Sequence, residues 1–229
     1  MTEPNPVVVS LEEQIVRMRG AGAPAVHPAL LDVVREELCG FTVLRPRDWE
    51  ELRHQYGGDG LAAPYWATAW PSGLTLAEAI ADRSLGARRV LELGCGLAVP
   101  SLAAAAAGGR VLATDSSPDA VAFAAHNLAL NELEGEVAMV DWREPGPLLE
   151  GGPWDLVLAA DVLYLHRGLA DLDALLPRLV DGTGEVWLAD PGRPPAAAFL
   201  QSAGRWAGVS EDRSDDPGVT VHRLRARDR

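Results

Sequence analysis

The feature of this sequence that most constrains its fold is a short apolar run followed by a glycine-rich turn and an alanine-rich segment. The run covers residues 90–93, the turn is Gly94-Cys95-Gly96, and the alanine-rich segment extends to Ala107. This succession predicts a strand, a tight turn and a helix. Glycine lets the backbone turn sharply and lets a ligand approach it closely, and the helix start behind it offers free N–H groups. Any α/β protein can contain such a turn, so its meaning depends on the residues around it.

The sequence beyond residue 90 alternates between short apolar runs and longer helical patterns. Strands are predicted at residues 90–93, 110–114, 136–140, 155–160 and 184–189, helices at 99–107, 118–130, 168–179 and 195–207, and a final hairpin at 209–211 and 219–225. Strands that alternate with helices predict a doubly wound, mostly parallel α/β sheet, here of seven strands.

The first 60 residues are predicted to form a small helical extension, a candidate lid, in front of an α/β domain at residues 61–229. Ser10 and Glu13 form a capping-box pattern, which predicts a helix that ends near Arg19. Further predictions are helices at 28–38 and 74–82, a helical turn at 47–56, a strand at 41–44 and a flexible loop at 57–60. The aromatic segment at residues 64–73 is expected either to fill the core edge or to line a ligand pocket.

Composition and charge limit the partners of the chain. Its 229 residues carry a formal net charge of -13, and an acidic chain lacks the cationic surface that nucleic-acid phosphates need. The sequence contains no lysine, which excludes Schiff-base chemistry and a P-loop lysine. Cys39 and Cys95 are too few for a disulfide framework and have no zinc spacing, so no metal is expected. Without a membrane-length apolar run or a basic signal-peptide region, a cytoplasmic protein is expected, and it is expected to be a monomer.

Four successive predicted strands end in an acid, at Asp115, Asp141, Asp161 and Asp190. In open α/β sheets, ligands bind outside the carboxyl ends of the strands. One aspartate at such a place is an ordinary helix cap, whereas four in succession predict a binding site. Asp115 suits two ribose hydroxyls, Asp141 suits the exocyclic amine of adenine, and Trp142 suits stacking on the purine. Together these residues predict a site for an adenosine.

The turn does not have the form of a dinucleotide site. That site requires Gly-x-Gly-x-x-Gly with pyrophosphate at the helix start, and here Gly94 and Gly96 are followed by Ala98 and Val99 rather than by a third glycine. Glu92, just before the turn, would repel a pyrophosphate and attract an ammonium group. A ligand with an adenosine, a positive charge and no phosphate is S-adenosylmethionine, which becomes S-adenosylhomocysteine when it gives up its methyl group.

On these motifs the sequence resembles the seven-β-strand, class I S-adenosylmethionine-dependent methyltransferases, which are Rossmann-like. Within them it is similar to the small protein-lysine methyltransferases, the branch that includes the enzyme modifying the electron-transfer flavoprotein β subunit. Bacterial members of this branch are often labelled predicted nicotinamide N-methylases. The similarity covers about residues 64–193 and implies an N-methyltransferase that methylates a lysine side chain of a protein.

The resemblance implies a role for each motif. In such enzymes the glycine turn holds the methionine part, the acid after the second strand binds ribose, the Asp-Trp pair meets adenine, and a Trp-Pro element closes over the cofactor. The implied cofactor-binding residues are Trp70, Glu92, Gly94, Cys95, Gly96, Asp115, Asp141, Trp142 and Ala160. The Asp-x-x-Tyr motif implies two catalytic residues, Asp161 to orient the acceptor amine and Tyr164 to line its channel. Ala98 departs from the family pattern, because it stands at the third glycine of the turn.

Three functions remain open on the sequence alone: a protein-lysine methyltransferase, a small-molecule methyltransferase, and a non-catalytic cofactor-binding or partner-binding protein on the same fold. An open acceptor cleft beside Tyr164 favours the first, a lid formed by residues 10–60 favours the second, and a blocked sulfonium-facing side favours the third. Structural roles are alternatives for single residues. Asp161 could cap a helix and Tyr164 could lie at the core edge, while Cys95 is expected to pack rather than react and Asn127 to serve as scaffold.

Overall fold

The computed structural model describes residues 6–56, 63–164, 166–201, 206–213 and 218–226. In chain order the helices are α1 (Pro6–Arg19), α2 (Pro28–Leu31), α3 (Trp49–Tyr56), α4 (Pro71–Ala81), α5 (Val99–Ala106), α6 (Pro118–Leu130), α7 (Gly146–Glu150), α8 (His166–Leu179) and α9 (Pro194–Gln201). The strands are β1 (Val33–Leu38), β2 (Phe41–Pro46), β3 (Arg89–Leu93), β4 (Arg110–Asp115), β5 (Glu136–Met139), β6 (Leu156–Ala160), β7 (Glu185–Asp190), β8 (Trp206–Arg213) and β9 (Thr220–Ala226).

Seven of the described strands form one sheet in the order β5-β4-β3-β6-β7-β9-β8. Strands β3 to β7 pair in parallel, whereas β9 lies antiparallel to both β7 and β8. From β3 the chain builds the sheet first towards β5 on one side and then towards β7 on the other. In such sheets ligands bind at the carboxyl ends of the strands beside this reversal. The predicted doubly wound, mostly parallel, seven-stranded sheet is confirmed.

Helices cover both faces of the sheet because the central strands are apolar at nearly every position. Successive residues of a strand point to opposite faces, so Val90 joins the core formed with α4, α5 and α6, and Leu91 joins the core formed with α8. In β6, Leu158 joins the first of these cores and Val157 joins the second. A parallel strand that is covered on both faces is expected to be continuously apolar. Glu92 is therefore the exception among the buried residues of β3, and its position next to the turn makes it a candidate functional residue.

The N-terminal extension contains a β-hairpin that the sequence pattern does not predict. The predicted helix at residues 28–38 is wrong, because only α2 is helical and β1 pairs antiparallel with β2. Cys39 and Gly40 join the two strands, and both have positive φ, 52° and 82°, as the commonest two-residue hairpin turn requires. The apolar spacing of the segment imitates a helix, but the β-branched Val33 and Val34 fit a strand better.

Other boundaries differ from the predictions by a few residues. Helix α1 begins at Pro6, so Ser10 lies inside the helix; proline suits a first helical position because its missing N–H would have no partner there. Helix α9 ends at Gln201 and Trp206 begins a strand, so the predicted helix is too long. The predicted loop at 57–60 lies outside the described residues, and the division into residues 1–60 and 61–229 stays a prediction. No helix in the described part of the chain is long and apolar enough to cross a membrane.

Asn127 in α6 and Asn131, the residue that follows this helix, attach the hairpin to the α/β domain. Asn127 accepts a hydrogen bond from the N–H of Leu44 at 2.8 Å and donates one to its carbonyl at 3.2 Å. Asn131 makes the same pair of bonds with Thr42, at 3.0 and 2.8 Å. Asn127 also donates to the carbonyl of Leu97 at 3.0 Å, beside the glycine turn. The amide side chains thus act as a strand partner for β2, and the scaffold role predicted for Asn127 is confirmed.

Candidate active site

A cavity of about 1380 Å³ lies at the carboxyl ends of the parallel strands. Every residue that the sequence singled out for cofactor binding or catalysis lines it: Trp70, Glu92, Gly94, Cys95, Gly96, Asp115, Asp141, Trp142, Ala160, Asp161 and Tyr164. Most of these residues lie in or just after β3, β4, β5 and β6, and the parallel pairing of these strands brings them to one edge of the sheet. The topology alone therefore explains why residues far apart in the sequence share one site.

The glycine turn after β3 is fixed by both backbone conformation and packing. Gly94 and Gly96 have φ values of 67° and 52°, which residues with a side chain rarely adopt. A Cβ added to Gly94 would lie 3.1 Å from a methyl of Val162, and one added to Gly96 would lie 3.2 Å from the carbonyl oxygen of Trp66. Ala98 caps α5 in the same left-handed conformation, with φ of 63°. The backbone follows this path although the third glycine is absent.

Asp115 closes the turn from the neighbouring strand. Its Oδ2 accepts a hydrogen bond from the N–H of Gly96 at 3.0 Å, and its Oδ1 accepts one from the N–H of Ser117 at 2.9 Å. Burial raises the pKa of Asp115, and these backbone donors oppose that rise. A carboxylate oxygen has more than one lone pair, so the fixed carboxylate can still accept hydrogen bonds from a ligand in the cavity.

Glu92 is buried directly before the turn, with 1% of its surface exposed. Ser101 of α5 donates a hydrogen bond to its Oε2. Burial raises the pKa of Glu92 to about 8, although the hydrogen bonds from Ser101 lower it. At neutral pH the carboxyl group is therefore mainly protonated while the cavity is empty, and a cation beside it would favour its ionised form. The sequence does not predict this contact between Ser101 and Glu92.

Asp141 and Trp142 lie where the chain leaves β5. The guanidinium of Arg143 contacts both carboxylate oxygens of Asp141, with Nε at 3.0 Å from each. These hydrogen bonds lower the pKa of Asp141 to about 2. The ring of Trp142 lies against the turn, 3.6 Å from a Cβ placed on Gly94. The sequence did not predict that Arg143 holds Asp141, which leaves its carboxylate ionised at the rim of the cavity.

Asp161 follows β6 and is held by groups that belong to β7 and the loop after it. Its N–H donates to the carbonyl of Ala189 at 3.0 Å, and its Oδ1 accepts a hydrogen bond from Arg193. Its side chain is 10% exposed, and Oδ2 is buried with no hydrogen-bond partner among the described residues. Asp161 lies well before α8 begins at His166, so the alternative that it caps this helix is wrong.

Aromatic rings form a rim on the cavity beside Asp161. Tyr164 is 45% exposed and meets Tyr65 edge to face, with ring centroids 5.7 Å apart. Trp70 donates a hydrogen bond from its indole N–H to the carbonyl of Tyr65 at 2.7 Å and packs edge to face on Trp49 at 5.6 Å. The sequence predicts that residues 64–73 either fill the core edge or line a pocket, and Tyr65 and Trp70 line the cavity.

The N-terminal extension supplies one wall of the cavity, a role for which the sequence gives no motif. Arg19, at the end of α1, makes two hydrogen bonds to the carboxylate of Asp119 in α6, at 2.6 and 2.8 Å. The two side chains are only 10% and 11% exposed. Pro24, His27 and Leu30 line the same wall. In the described part of the chain no cluster of histidine, cysteine and acidic residues could hold a metal ion.

Comparison with known proteins places residues 49–202 in a family model described as "Lysine methyltransferase". The electron transfer flavoprotein beta subunit lysine methyltransferase of Danio rerio is 37% identical over 136 residues, which are 57% of this chain and 51% of that protein. Protein N-lysine methyltransferase METTL21A of Danio rerio is 32% identical over 157 residues, 66% of this chain and 67% of that protein. This chain thus spans about half the length of the first relative and two thirds of the second.

Solved structures show the same fold at low sequence identity. The T. Thermophilus 16S rRNA N2 G1207 methyltransferase RsmC, in complex with AdoMet and guanosine, has a TM-score of 0.63 at 18% identity, over 85% of this chain and 50% of that one. The ribosomal protein L11 methylase of Lactobacillus delbrueckii subsp. bulgaricus has a TM-score of 0.53 at 21% identity, over 70% and 81%. Both likenesses support the Rossmann-like arrangement of the sheet and its helices.

Proposed function

Because this chain belongs to the lysine methyltransferase family, we propose that it transfers a methyl group from S-adenosylmethionine to the ε-amine of a lysine in a protein. The observation that carries the proposal is that Asp161 and Tyr164 line the same cavity as the glycine turn and Asp115. A cofactor at the turn and an amine at Asp161 would share one space, as a direct transfer between them requires.

The residues of the cavity fit S-adenosylmethionine, whose sulfonium supplies an electrophilic methyl group when it is bound. Asp115 has both oxygens oriented by backbone donors and keeps lone pairs for the ribose hydroxyls. Gly94 and Gly96 leave the backbone accessible to the methionine part, and Glu92 can ionise to balance its positive charge. The other proposed cofactor contacts are Trp70, Cys95, Asp141, Trp142 and Ala160.

The acceptor side must align a lone pair with the methyl group and exclude water. A lysine amine has a reference pKa of about 10.4, so it must lose a proton before it can attack. In this proposal Asp161 accepts a hydrogen bond from the amine and thereby orients it, while Tyr164 and Tyr65 flank its path. Removal from water lowers the pKa of an amine, so an aromatic path to Asp161 favours the neutral, nucleophilic form.

The proposal also assigns a role to residues 1–60, which we take as a lid over the cavity. Its support is the wall formed by α1, α2 and the segment between them. The net charge of -13 favours a protein acceptor over nucleic acid. We further propose that the protein works as a monomer in the cytoplasm.

A small-molecule methyltransferase is the second candidate, and the same wall favours it. Where the chain itself covers part of the cavity, a small acceptor enters more easily than a protein. The exposed ring of Tyr164 favours the first candidate, because it leaves an approach to Asp161 from solvent.

The proposal is tested by incubating the protein with methyl-labelled S-adenosylmethionine and an extract of the source organism. Labelled protein is hydrolysed and its amino acids are separated, with an Asp161→Asn variant as the matched control. Labelled methyl-lysine that depends on Asp161 supports the proposal. Label confined to small molecules favours the second candidate, and cofactor binding without any labelled product contradicts both.

A further inference from the structure

Arg193 lies between two carboxylates at the acceptor side of the cavity. Its Nη1 donates a hydrogen bond to Asp161 and lies 3.3 Å from Oδ2 of Asp190. Asp190 is 1% exposed, and its Oδ1 accepts hydrogen bonds at 2.7 Å from the N–H groups of both Gly192 and Arg193. The loop after β7 therefore folds back on Asp190 and carries the guanidinium to Asp161.

The cluster of Asp161, Asp190 and Arg193 has two negative charges and one positive charge. A carboxylate near an amine favours the ammonium form, which has no lone pair for attack. If the guanidinium were absent, the charges of Asp161 on the cavity wall and of the buried Asp190 would be uncompensated and would favour a lysine bound as a cation. With the guanidinium present, half of that charge is compensated at the point where the amine must be neutral.

The contact with Arg193 also orients Asp161. The guanidinium engages Oδ1, and the buried Oδ2 has no partner among the residues described. An N–H group of a ligand would give Oδ2 the hydrogen bond that a buried carboxylate requires. Asp161 has a φ of 56°, and a non-glycine residue in this conformation marks a strained position of the kind found at functional sites.

We infer that Arg193 is a positioning residue, which orients Asp161 and compensates its charge so that the acceptor amine is bound in the neutral form. The inference rests on the proposed lysine methylation. Arg193 does not itself touch the amine and acts through Asp161.

Other ionisable groups surround the same space and stay unchanged when Arg193 is replaced. Among those that line the cavity are Glu92 of β3, Asp115 of β4, Tyr65, Tyr164 and Asp171 of α8. Asp141 is paired with Arg143, and Asp119 is paired with Arg19. A comparison of variants at position 193 therefore isolates the effect of one guanidinium.

The test is the pH dependence of methyl-lysine formation, measured as the initial rate with saturating labelled S-adenosylmethionine and extract protein. In Arg193→Gln the acidic limb of the pH–rate profile should move to higher pH by about one unit, because loss of the positive charge favours the ammonium form of the acceptor. The rate at neutral pH should then fall about tenfold, since the neutral fraction of an amine far below its pKa changes tenfold per unit. Arg193→Lys keeps the charge and should restore most of the rate. Asp190→Asn removes a negative charge and should move the limb the other way.

Arg225→Gln is the matched control, because Arg225 pairs with Glu185 on β7 and its side chain is 72% exposed. It should leave the profile unchanged, and the affinity for S-adenosylhomocysteine should stay the same in every variant. An unshifted profile in both Arg193→Gln and Asp190→Asn would refute the role of Arg193. So would a loss of melting temperature with normal activity per folded molecule. Absence of methyl-lysine with the wild-type protein would instead refute the proposed function, and the inference with it.

Discussion

Ser101 on α5 donates a hydrogen bond to the buried carboxyl group of Glu92, directly before the glycine turn. Burial outweighs this bond and raises the pKa of Glu92 to about 8. Glu92 is therefore neutral in most molecules at pH 7 when the cavity is empty. A positively charged ligand next to it would favour the ionised form, so binding of such a ligand should release a proton.

The first prediction is that affinity for S-adenosylmethionine rises with pH and levels off above about pH 8. Below that pH the proton must leave Glu92 before the carboxylate can balance the charge of the ligand, which can weaken binding by up to about tenfold per pH unit. Calorimetric titration in two buffers of different ionisation enthalpy measures both affinity and proton release. Glu92→Gln, which cannot ionise, should bind with little pH dependence. If the wild-type protein bound the cofactor without releasing a proton, Glu92 would not balance the charge of the cofactor.

The second prediction concerns folding, because the same raised pKa links stability to pH. The pKa of Glu92 in the folded protein lies above its ordinary value of 4.5. Its contribution to stability is therefore complete below about pH 4.5 and is lost as the pH rises through about 8. Relative to the wild type, Glu92→Gln should gain free energy of unfolding between these limits, by about 1.4 kcal/mol per unit of pKa shift. Urea denaturation at pH 5 and pH 8.5 measures the free energy of unfolding of both proteins. The same pH dependence in the wild type and in Glu92→Gln would contradict the prediction.

The parts of the site that the sequence predicts are those that local pattern encodes. Glu92, Gly94 and Gly96 could be found because an apolar run followed by glycines specifies a strand and a turn at fixed positions. Asp115 could be found because a strand–helix–strand unit brings the next strand end beside the first. In each case the chemistry follows from position along one strand, without knowledge of distant contacts.

The sequence does not predict contacts between residues that are far apart in the chain, nor a turn whose residues are unusual for its conformation. The pairing of Arg193 with Asp161 requires the loop after β7 to fold back on Asp190, which no periodicity encodes. The contact of Arg19 with Asp119 joins residues 100 positions apart. The sequence does not predict the hairpin of β1 and β2, because its apolar spacing also fits a helix and Cys39 is an unusual residue for a position with positive φ.

The third prediction is that Asp115→Ala weakens cofactor binding by roughly 1–3 kcal/mol, the usual cost of leaving buried polar partners unpaired. The ribose would lose its acceptor. The N–H groups of Gly96 and Ser117 would lose theirs as well, which loosens the turn that the cofactor would contact. Asp115→Asn keeps an oxygen for one of these bonds and should cost less. Calorimetry with S-adenosylhomocysteine measures both variants. An unchanged dissociation constant in Asp115→Ala would remove this residue from the ribose site.

The fourth prediction is that the contact between Arg19 and Asp119 holds the N-terminal wall over the cavity. Because the two side chains are largely buried and joined by two hydrogen bonds, replacing either one breaks this ion pair. A double-mutant cycle of Arg19→Met and Asp119→Asn should give a coupling free energy of about 1–3 kcal/mol in unfolding. Both single variants should also release bound S-adenosylhomocysteine faster. Additive effects on stability with an unchanged release rate would argue against a lid.

The last prediction concerns Asp161, where the backbone decides which substitution is informative. Its φ of 56° is tolerated by asparagine better than by alanine, so Asp161→Asn removes the charge without adding backbone strain. Asp161→Ala should lower the melting temperature more than Asp161→Asn does. Tyr164→Phe, which keeps the ring that contacts Tyr65, should be milder than Tyr164→Ala.

If Asp161 orients the acceptor amine, Asp161→Asn should reduce methyl-lysine formation by about a hundredfold, which corresponds to roughly 2.7 kcal/mol of barrier. Cofactor affinity should hardly change, because the proposed adenosine contacts lie after β4 and β5 on the other side of the glycine turn. Melting temperature, cofactor affinity and rate are measured on the same sample, so that loss of folded protein is separated from loss of chemistry. A near-normal rate in the folded fraction would mean that Asp161 only anchors the loop through Arg193 and Ala189. The methyl acceptor would then have to be oriented by another group on the cavity wall.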